Sequence, residues 1–172
     1  GLYKSTDGGD NWTFSGLPEA GQIGKIIVHP QNPDHVYVAA LGHIFGPNPE
    51  RGIYESTDGG ETWEKILFVS DSTGTIDLVM NPQNPKELFA AFWRAERKPY
   101  TLIDGGYEGG IWKSTDGGKN WKKLGGGLPT GLLGRIGLAL SPANPDRIWA
   151  IIQAAEEEKG GLYRSDNGGQ TW

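Results

Sequence analysis

An eight-residue motif occurs four times along the 172-residue chain, and this recurrence limits the possible folds more than any other feature of the sequence. Its copies occupy residues 5–12, 56–63, 114–121 and 165–172. The tryptophans that end the copies are 51, 58 and 51 residues apart. Self-similarity with a period of about 50 residues is typical of architectures in which each repeat forms one supersecondary unit.

Each copy has the sequence of a β-hairpin. A glycine, an aliphatic, an aromatic and a charged residue precede every motif, and this alternation predicts a strand. Asp-Gly-Gly is turn sequence, because Asp accepts hydrogen bonds from nearby amides and Gly adopts positive φ. We expect the motif's Ser and Asp to hold the loop and its Trp to anchor the hairpin base. The residues assigned this structural role are Ser5, Asp7, Gly9, Trp12, Ser56, Asp58, Gly60, Trp63, Ser114, Asp116, Gly118, Trp121, Ser165, Gly169 and Trp172.

These hairpins resemble the Asp-box, also called the BNR repeat, whose pattern is Ser-x-Asp-x-Gly-x-Thr-Trp. The second copy, residues 56–63, fits every position. The first and third copies carry Asn11 and Asn120 in place of Thr, and the fourth carries Asn167 in place of Asp. A weaker loop is therefore expected in the fourth copy.

The motif aspartates could also be interpreted as catalytic acids or calcium ligands. Identical loops in every repeat favour a scaffold role, because a site normally combines unlike residues from different repeats. The spacing also lacks the Asp-x-Asp-x-Asp-Gly pattern and distal Glu of a calcium loop. No metal site and no cofactor are predicted.

A second unit alternates with the Asp-boxes, at residues 24–40, 74–92 and 134–152. Each reads as a strand, a turn of the type Pro-x-Asn-Pro and another strand, because Pro pre-sets φ for a turn. One period thus contains four strands, A and B around the proline turn and C and D around the Asp-box. Four antiparallel strands per repeat predict a β-propeller blade.

The predicted fold is therefore an all-β β-propeller segment of between three and four blades. Residues 1–172 form one unit: a C–D hairpin at 1–16, blades at 24–68 and 74–124, and an incomplete blade at 134–172. Because closed propellers have at least four blades, the segment is expected to be an excerpt of a larger propeller whose remaining blades are partners.

Composition narrows the functional classes. The net charge of −5 argues against a nucleic-acid-binding surface, which is basic. No apolar run approaches the length of a membrane span. The chain has no Cys, which excludes disulfides and thiolate chemistry. A signal sequence is not recognised within these residues.

Strand order places the A–B and C–D turns on one face and the B–C and D–A loops on the other. The turns of the first face have nearly the same sequence in every blade, which suggests a role in stability. The loops of the second face differ between blades, which suggests a role in binding. Its longest loop is residues 94–108. The predicted ligand-binding residues are His43, Phe45, Arg94, Arg97, Tyr100 and Tyr107, which could hold a polar or planar ligand by stacking and hydrogen bonding. The alternative is that the tyrosines pin the loop and the charges are solvated.

The whole chain resembles Asp-box propellers of the sortilin/Vps10 type and, more distantly, xyloglucanase-like glycoside hydrolases and sialidases. The first resemblance implies a non-catalytic module that binds a protein, a peptide or a glycan. The second implies part of a glycosidase with two carboxylates, for which Asp71 and Asp104 are the candidates. Neither aspartate lies in a recognisable hydrolase motif. The resemblance implies a secreted or periplasmic protein, and the absence of cysteine-rich modules favours a bacterial origin.

Overall fold

The computed structural model describes residues 1–172, and its regular secondary structure is almost entirely antiparallel strands. Two short 3-10 helices lie at Pro18–Ala20 and Glu157–Lys159. The strands are β1 (Tyr3–Lys4), β2 (Thr13–Phe14), β3 (Ile23–His29), β4 (Asn32–Ala40), β5 (Gly52–Ser56), β6 (Glu64–Leu67), β7 (Gly74–Met80), β8 (Leu88–Trp93), β9 (Ala95–Lys98), β10 (Thr101–Asp104), β11 (Gly110–Ser114), β12 (Lys122–Lys123), β13 (Leu133–Leu140), β14 (Ile148–Ala154) and β15 (Gly161–Ser165).

These strands form four successive sheets and one separate hairpin. The first sheet is β1–β2, the second is β3–β4–β5–β6, the third is β7–β8–β11–β12 and the last is β13–β14–β15. Strands β9 and β10 pair only with each other, while β8 pairs directly with β11. The all-β class and the meandering strand order predicted from the sequence are confirmed.

The core lies between the sheets. Apolar side chains of the A, B and C strands fill the interfaces. Tyr37, Ile53, Leu78 and Phe92 are almost fully buried between the second and third sheets. Separate clusters fill the interface on either side.

The A strands of neighbouring sheets approach one another closely. The Asp77 carboxylate accepts the amide of Leu138 at 2.8 Å, which joins β7 to β13. A Cβ atom added to Gly24 would lie 2.4 Å from the carbonyl oxygen of Ile76, so the contact between β3 and β7 requires glycine. The A strands therefore form the inner edge of the assembly.

One turn differs from the sequence prediction. In the second sheet His29 pairs with Asn32, so the A–B turn is a tight one at Pro30-Gln31. In the third sheet a wider turn forms, because the Asn81 side chain accepts the amides of Gln83 and Asn84. His29 occupies the equivalent first position in the second sheet, where its ring Nδ1 accepts only the amide of Gln31, at 3.2 Å.

Candidate functional site

The connections separate into two faces, which we call the turn face and the loop face. The turn face contains the A–B turns and the Asp-boxes, and the loop face contains the B–C and D–A loops. On the turn face, the amide of Gly59 donates to the carbonyl of Asp34 at 2.8 Å. On the loop face, the amide of Asn48 donates to the carbonyl of Asp71 at 2.9 Å.

Each Asp-box is closed by its own side chains. The Ser56 hydroxyl donates to Asp58 at 2.7 Å and accepts the amide of Gly60 at 2.8 Å. Asp58 accepts both the amide and the hydroxyl of Thr62, at 2.9 and 2.5 Å. In the fourth copy Asn167 takes the place of Asp58 and accepts the amide of Thr171 at 2.9 Å. Asparagine suffices there because its side-chain oxygen is also an acceptor.

These hydrogen bonds stabilise the ionised form of the motif aspartates. The backbone amide of Asn11 is the main group that lowers the pKa of Asp7 to about 2. The side chain of Asn120 is the main group that lowers the pKa of Asp116 to about 2. Several donors hold the pKa of Asp58 far below its usual range, and the Thr62 hydroxyl has the largest effect. A carboxylate whose oxygens accept several donors stays ionised, so these groups are poor proton donors.

The first glycine of each later Asp-box also binds the preceding sheet, a contact that sequence reasoning missed. The carbonyl of Gly59 accepts the Lys4 ammonium at 2.9 Å, and that of Gly168 accepts Lys113 at 2.7 Å. Lys4 and Lys113 occupy the same motif position. Glu55 holds that position before the second Asp-box and cannot donate to the third, so the hydroxyl of Tyr37 donates instead, at 3.0 Å to the carbonyl of Gly117. The sequence feature that could have indicated this contact is the recurring charged residue immediately before each Asp-box.

The longest predicted loop, residues 94–108, contains a structured hairpin, which corrects its assignment as a loop. Strands β9 and β10 turn at Pro99-Tyr100, with Lys98 opposite Thr101. The hairpin is an insertion into the third sheet, since β8 and β11 pair without it. It projects onto the loop face.

One side of the hairpin binds the B–C loop of the second sheet. Arg51 is 1% exposed and donates to the carbonyls of Leu41, His43 and Ala95 at 2.8, 3.1 and 3.2 Å. The amide of Arg97 donates to the carbonyl of Ile44 at 2.6 Å. Burial lowers the pKa of Arg51, but a guanidinium stays charged in proteins. The buried Arg51 thus fixes one loop and attaches it to the hairpin.

The other side of the hairpin binds the last sheet. Gly106 forms a bridge with Leu133, through two backbone hydrogen bonds of 3.0 and 3.2 Å. Asp104 accepts the indole N–H of Trp93 at 2.8 Å and the Gln153 amide at 3.0 Å. The hairpin therefore connects three consecutive sheets on the loop face.

A further contact joins the hairpin segment to the preceding D–A loop. The Glu108 carboxylate accepts the hydroxyls of Ser70 and Thr73 at 2.5 and 2.9 Å. Sequence reasoning did not single out Glu108, and its partners lie 35 or more positions away in the chain. No local pattern could have identified this pair.

The predicted ligand-binding residues divide by exposure. Phe45, Tyr100 and Tyr107 are 70%, 85% and 78% exposed. Arg97 is also exposed, whereas His43 is half-buried. The hydroxyls of Tyr100 and Tyr107 make no hydrogen bond within the chain.

The arginines of the hairpin region have no carboxylate partner. Arg94, Arg97 and Arg135 take part in none of the six ion pairs of the chain. The Nε of Arg94 is buried without an acceptor. The guanidinium of Arg135 lies 6.0 Å from the ring centroid of Trp93.

The two candidate catalytic aspartates have separate partners. Asp71 accepts the Ser72 hydroxyl at 2.9 Å, and Asp104 is occupied by Trp93 and Gln153. No hydrogen bond or common partner connects them. The chain contains no group of three or more His, Cys, Asp or Glu side chains arranged to hold a metal ion. None of its helices has the length and apolar character needed to cross a bilayer.

Comparison with known proteins identifies the class to which this architecture belongs. The chain is 29% identical over 174 residues to a xyloglucanase of Paenibacillus sp, covering 100% of the chain and 15% of the relative. The GH74 xyloglucanase of Xanthomonas campestris superposes with a TM-score of 0.75 at 19% identity, over 100% of this chain and 26% of that chain. A YCF48 structure bound to D1 peptide superposes with a TM-score of 0.53 at 19% identity, over 91% and 40%. The chain spans less than a fifth of the length of the curated xyloglucanases that it matches.

The fold and these likenesses define an Asp-box β-propeller segment, as the sequence predicted. The family described as "Sortilin-Vps10: Sortilin, neurotensin receptor 3" matches residues 1–129. The chain belongs to this family. It is a propeller module related to both Vps10 proteins and GH74 xyloglucanases.

Proposed function

We propose that the chain is a non-catalytic binding module that holds a protein, peptide or glycan ligand on its loop face. The observation that carries this proposal is the anchored β9–β10 hairpin. The hairpin exposes Tyr100 and Arg97, Tyr107 is exposed shortly after it, and Arg97 takes part in no ion pair. Exposed aromatic and guanidinium groups on a rigid support supply contact area and directed hydrogen bonds at low entropic cost.

The turn face is assigned to stability and not to ligand binding. Its Asp-box serines and aspartates bond within their own loops, and Tyr37 and Lys113 bond the next sheet, so these side chains are not free for a ligand. We therefore assign the turn face to stability. We also propose that residues 1–172 act as one unit, with the blade division at 1–16, 24–68, 74–124 and 134–172.

The relatives support both a peptide and a glycan as the class of ligand. The YCF48 structure is bound to a peptide, and the Paenibacillus relative is a xyloglucanase. By this likeness we propose a secreted or periplasmic protein of bacterial origin. The second candidate function is part of a glycoside hydrolase, favoured by the likeness to xyloglucanases. It would need two carboxylates about 5–10 Å apart across a sugar, and the separate partners of Asp71 and Asp104 argue against that pair.

Binding arrays test the proposal. The protein, its Tyr100→Ala/Tyr107→Ala variant and a Lys119→Ala variant are applied to xyloglucan oligosaccharide and peptide arrays. Lys119 is exposed on the turn face and serves as the control. We expect the double variant to lose most binding and the Lys119 variant to keep it. Equal loss in both variants, or none in either, contradicts a site on the loop face.

Hydrolysis of xyloglucan tests the second function. The protein, Asp71→Asn and Asp104→Asn are compared by release of reducing ends. We expect no cleavage by any of them. Cleavage that either substitution abolishes contradicts the non-catalytic proposal and places catalysis on this segment.

A further inference from the structure

Strand β10 has an open edge on the loop face. It pairs with β9 on one side and with no other strand. Sheet edges of this kind are normally covered or blunted, because unpaired amides and carbonyls accept another strand. Here the edge lies between the exposed Tyr100 and the exposed Tyr107.

The pairing pattern identifies the backbone groups that face this open edge. In an antiparallel pair of strands, successive pairs of opposite residues alternate. In one pair the backbone amides and carbonyls exchange hydrogen bonds, and in the next these groups point away from the partner strand. The backbone amide of Arg97 donates to the carbonyl of Ile44, outside the hairpin. The backbone groups of Arg97 and of its partner Leu102 therefore point away from each other's strand. The carbonyl of Ala95 accepts Arg51, so its partner Asp104 also points outward. Two alternate residues of β10, Leu102 and Asp104, therefore direct their backbone amides and carbonyls away from β9.

The edge is held in place before any ligand arrives. Arg51 and the amide of Arg97 fix β9, and the bridge between Gly106 and Leu133 fixes the segment after β10. A strand that is already ordered does not pay the cost of ordering when it binds. Addition of an extended chain to such an edge is an established mode of peptide recognition, in which backbone hydrogen bonds supply affinity.

Charge around the edge favours an acidic ligand. Arg94, Arg97 and Arg135 surround the hairpin without ion-pair partners, whereas Lys98 is already paired with Glu96. The carboxylates of the same segment are already engaged by donors: Glu96 by Lys98, Asp104 by Trp93 and Gln153, and Glu108 by Ser70 and Thr73. Guanidinium groups bind carboxylates with paired hydrogen bonds.

We propose that an acidic peptide segment in extended conformation adds to the free edge of β10 as a further strand. Its backbone bonds the outward amides and carbonyls of Leu102 and Asp104, and its carboxylates bind the free arginines. This inference rests on the proposed function and specifies the ligand and the mode of binding.

A proline substitution tests the backbone contact. Leu102→Pro removes the outward amide, and because β10 bonds β9 through Thr101 and Ile103, the hairpin ladder remains. Leu102→Val keeps the amide and is the matched control. Binding of the fluorescein-labelled peptide Glu-Val-Glu-Val-Glu-Val is measured by fluorescence anisotropy, with thermal unfolding as the check on folding. We expect about tenfold weaker binding for Leu102→Pro, the equivalent of one lost hydrogen bond, and unchanged binding for Leu102→Val.

Modified peptides test the ligand side. The same peptide with N-methyl groups on alternate amides cannot form a strand ladder, and Lys-Val-Lys-Val-Lys-Val reverses the charge. We expect both to bind at least tenfold more weakly than the parent peptide. Equal binding by the N-methylated peptide, or by folded Leu102→Pro, overturns strand addition.

The outcomes separate the two proposals. If Tyr100→Ala/Tyr107→Ala weakens peptide binding while Leu102→Pro does not, the loop face remains the binding face and the edge proposal is wrong. If no acidic peptide binds the unsubstituted protein, the edge proposal is also wrong, and the arrays alone then decide the proposed function.

Discussion

At the residue scale, the motif serine is the most constant part of the Asp-box. In all four copies its hydroxyl accepts the amide of the second glycine at 2.8 or 2.9 Å. The Asp position tolerates Asn, and the Thr position tolerates Asn, because each substitute still supplies the required acceptor or donor. The serine has no such alternative in this chain.

We expect Ser56→Ala to lower the free energy of unfolding by about 1–2 kcal/mol, because the buried amide of Gly60 loses its acceptor. Urea unfolding followed by tryptophan fluorescence measures this change. Ser5→Ala removes the same bonds from the exposed first copy and should have a smaller effect. Equal losses in the two variants would contradict the role of burial. Ligand affinity of the folded protein should not change.

The depressed pKa of Asp116 makes its contribution depend on pH. Its pKa is about 2 in the folded chain and 3.8 ordinarily, so the ionised form is stabilised by folding. The contribution is complete above the ordinary pKa and is lost as the pH falls from about 4 to about 2. We expect Asp116→Asn, which gives this position the chemistry of Asn167, to flatten the loss of stability across that window. Acid titrations of fluorescence for both proteins measure it, and an unchanged slope contradicts the assignment.

At the element scale, the sheets are joined through the first glycine of the Asp-box. Its amide bonds the A–B turn of its own sheet, and its carbonyl accepts a donor from the preceding sheet. This double use explains why the proline turns and Asp-boxes recur together. The contact between the second and third sheets depends on Tyr37, which is 1% exposed.

We expect Tyr37→Phe to reduce stability by about 1 kcal/mol, since it removes the hydroxyl that bonds Gly117 and leaves the ring in the core. Tyr163→Phe is the matched control, because the Tyr163 hydroxyl bonds the carbonyl of Lys159 at an exposed position. Equilibrium urea unfolding compares the two variants. A loss no larger than that of the control would show that the Tyr37 hydrogen bond does not stabilise the interface.

The sequence predicts the elements that repeat and misses those that occur once. Strand order follows from the alternation before each Asp-box, and the Asp-Gly-Gly turns follow from local chemistry. The β9–β10 hairpin has no second copy, so nothing in the period indicates it, although Pro99-Tyr100 followed by Thr-Leu-Ile is turn and strand sequence. The contacts of Arg51 and Glu108 join positions far apart in the chain, and no local pattern encodes them.

At the scale of the whole molecule, equivalent positions differ in exposure between sheets. Ala91 and Ile111 are opposite each other in the third sheet and are 0% and 1% exposed, because the last sheet covers them. Their counterparts in the last sheet, Ile151 and Leu162, are 61% and 67% exposed. An apolar sheet face of this kind drives association.

We therefore expect the 172-residue chain to self-associate as its concentration rises, and Leu162→Lys to reduce this association. Light scattering after size-exclusion chromatography measures the mass over a concentration series. Lys122→Leu is the reciprocal variant, since it adds an apolar residue to the exposed outer strand of the third sheet, away from the uncovered face. If the face of β14 and β15 is the cause, the Leu162 variant lowers the mass at high concentration and the Lys122 variant leaves it unchanged. A chain that stays monomeric at all concentrations would contradict the prediction that the exposed face of β14 and β15 drives self-association.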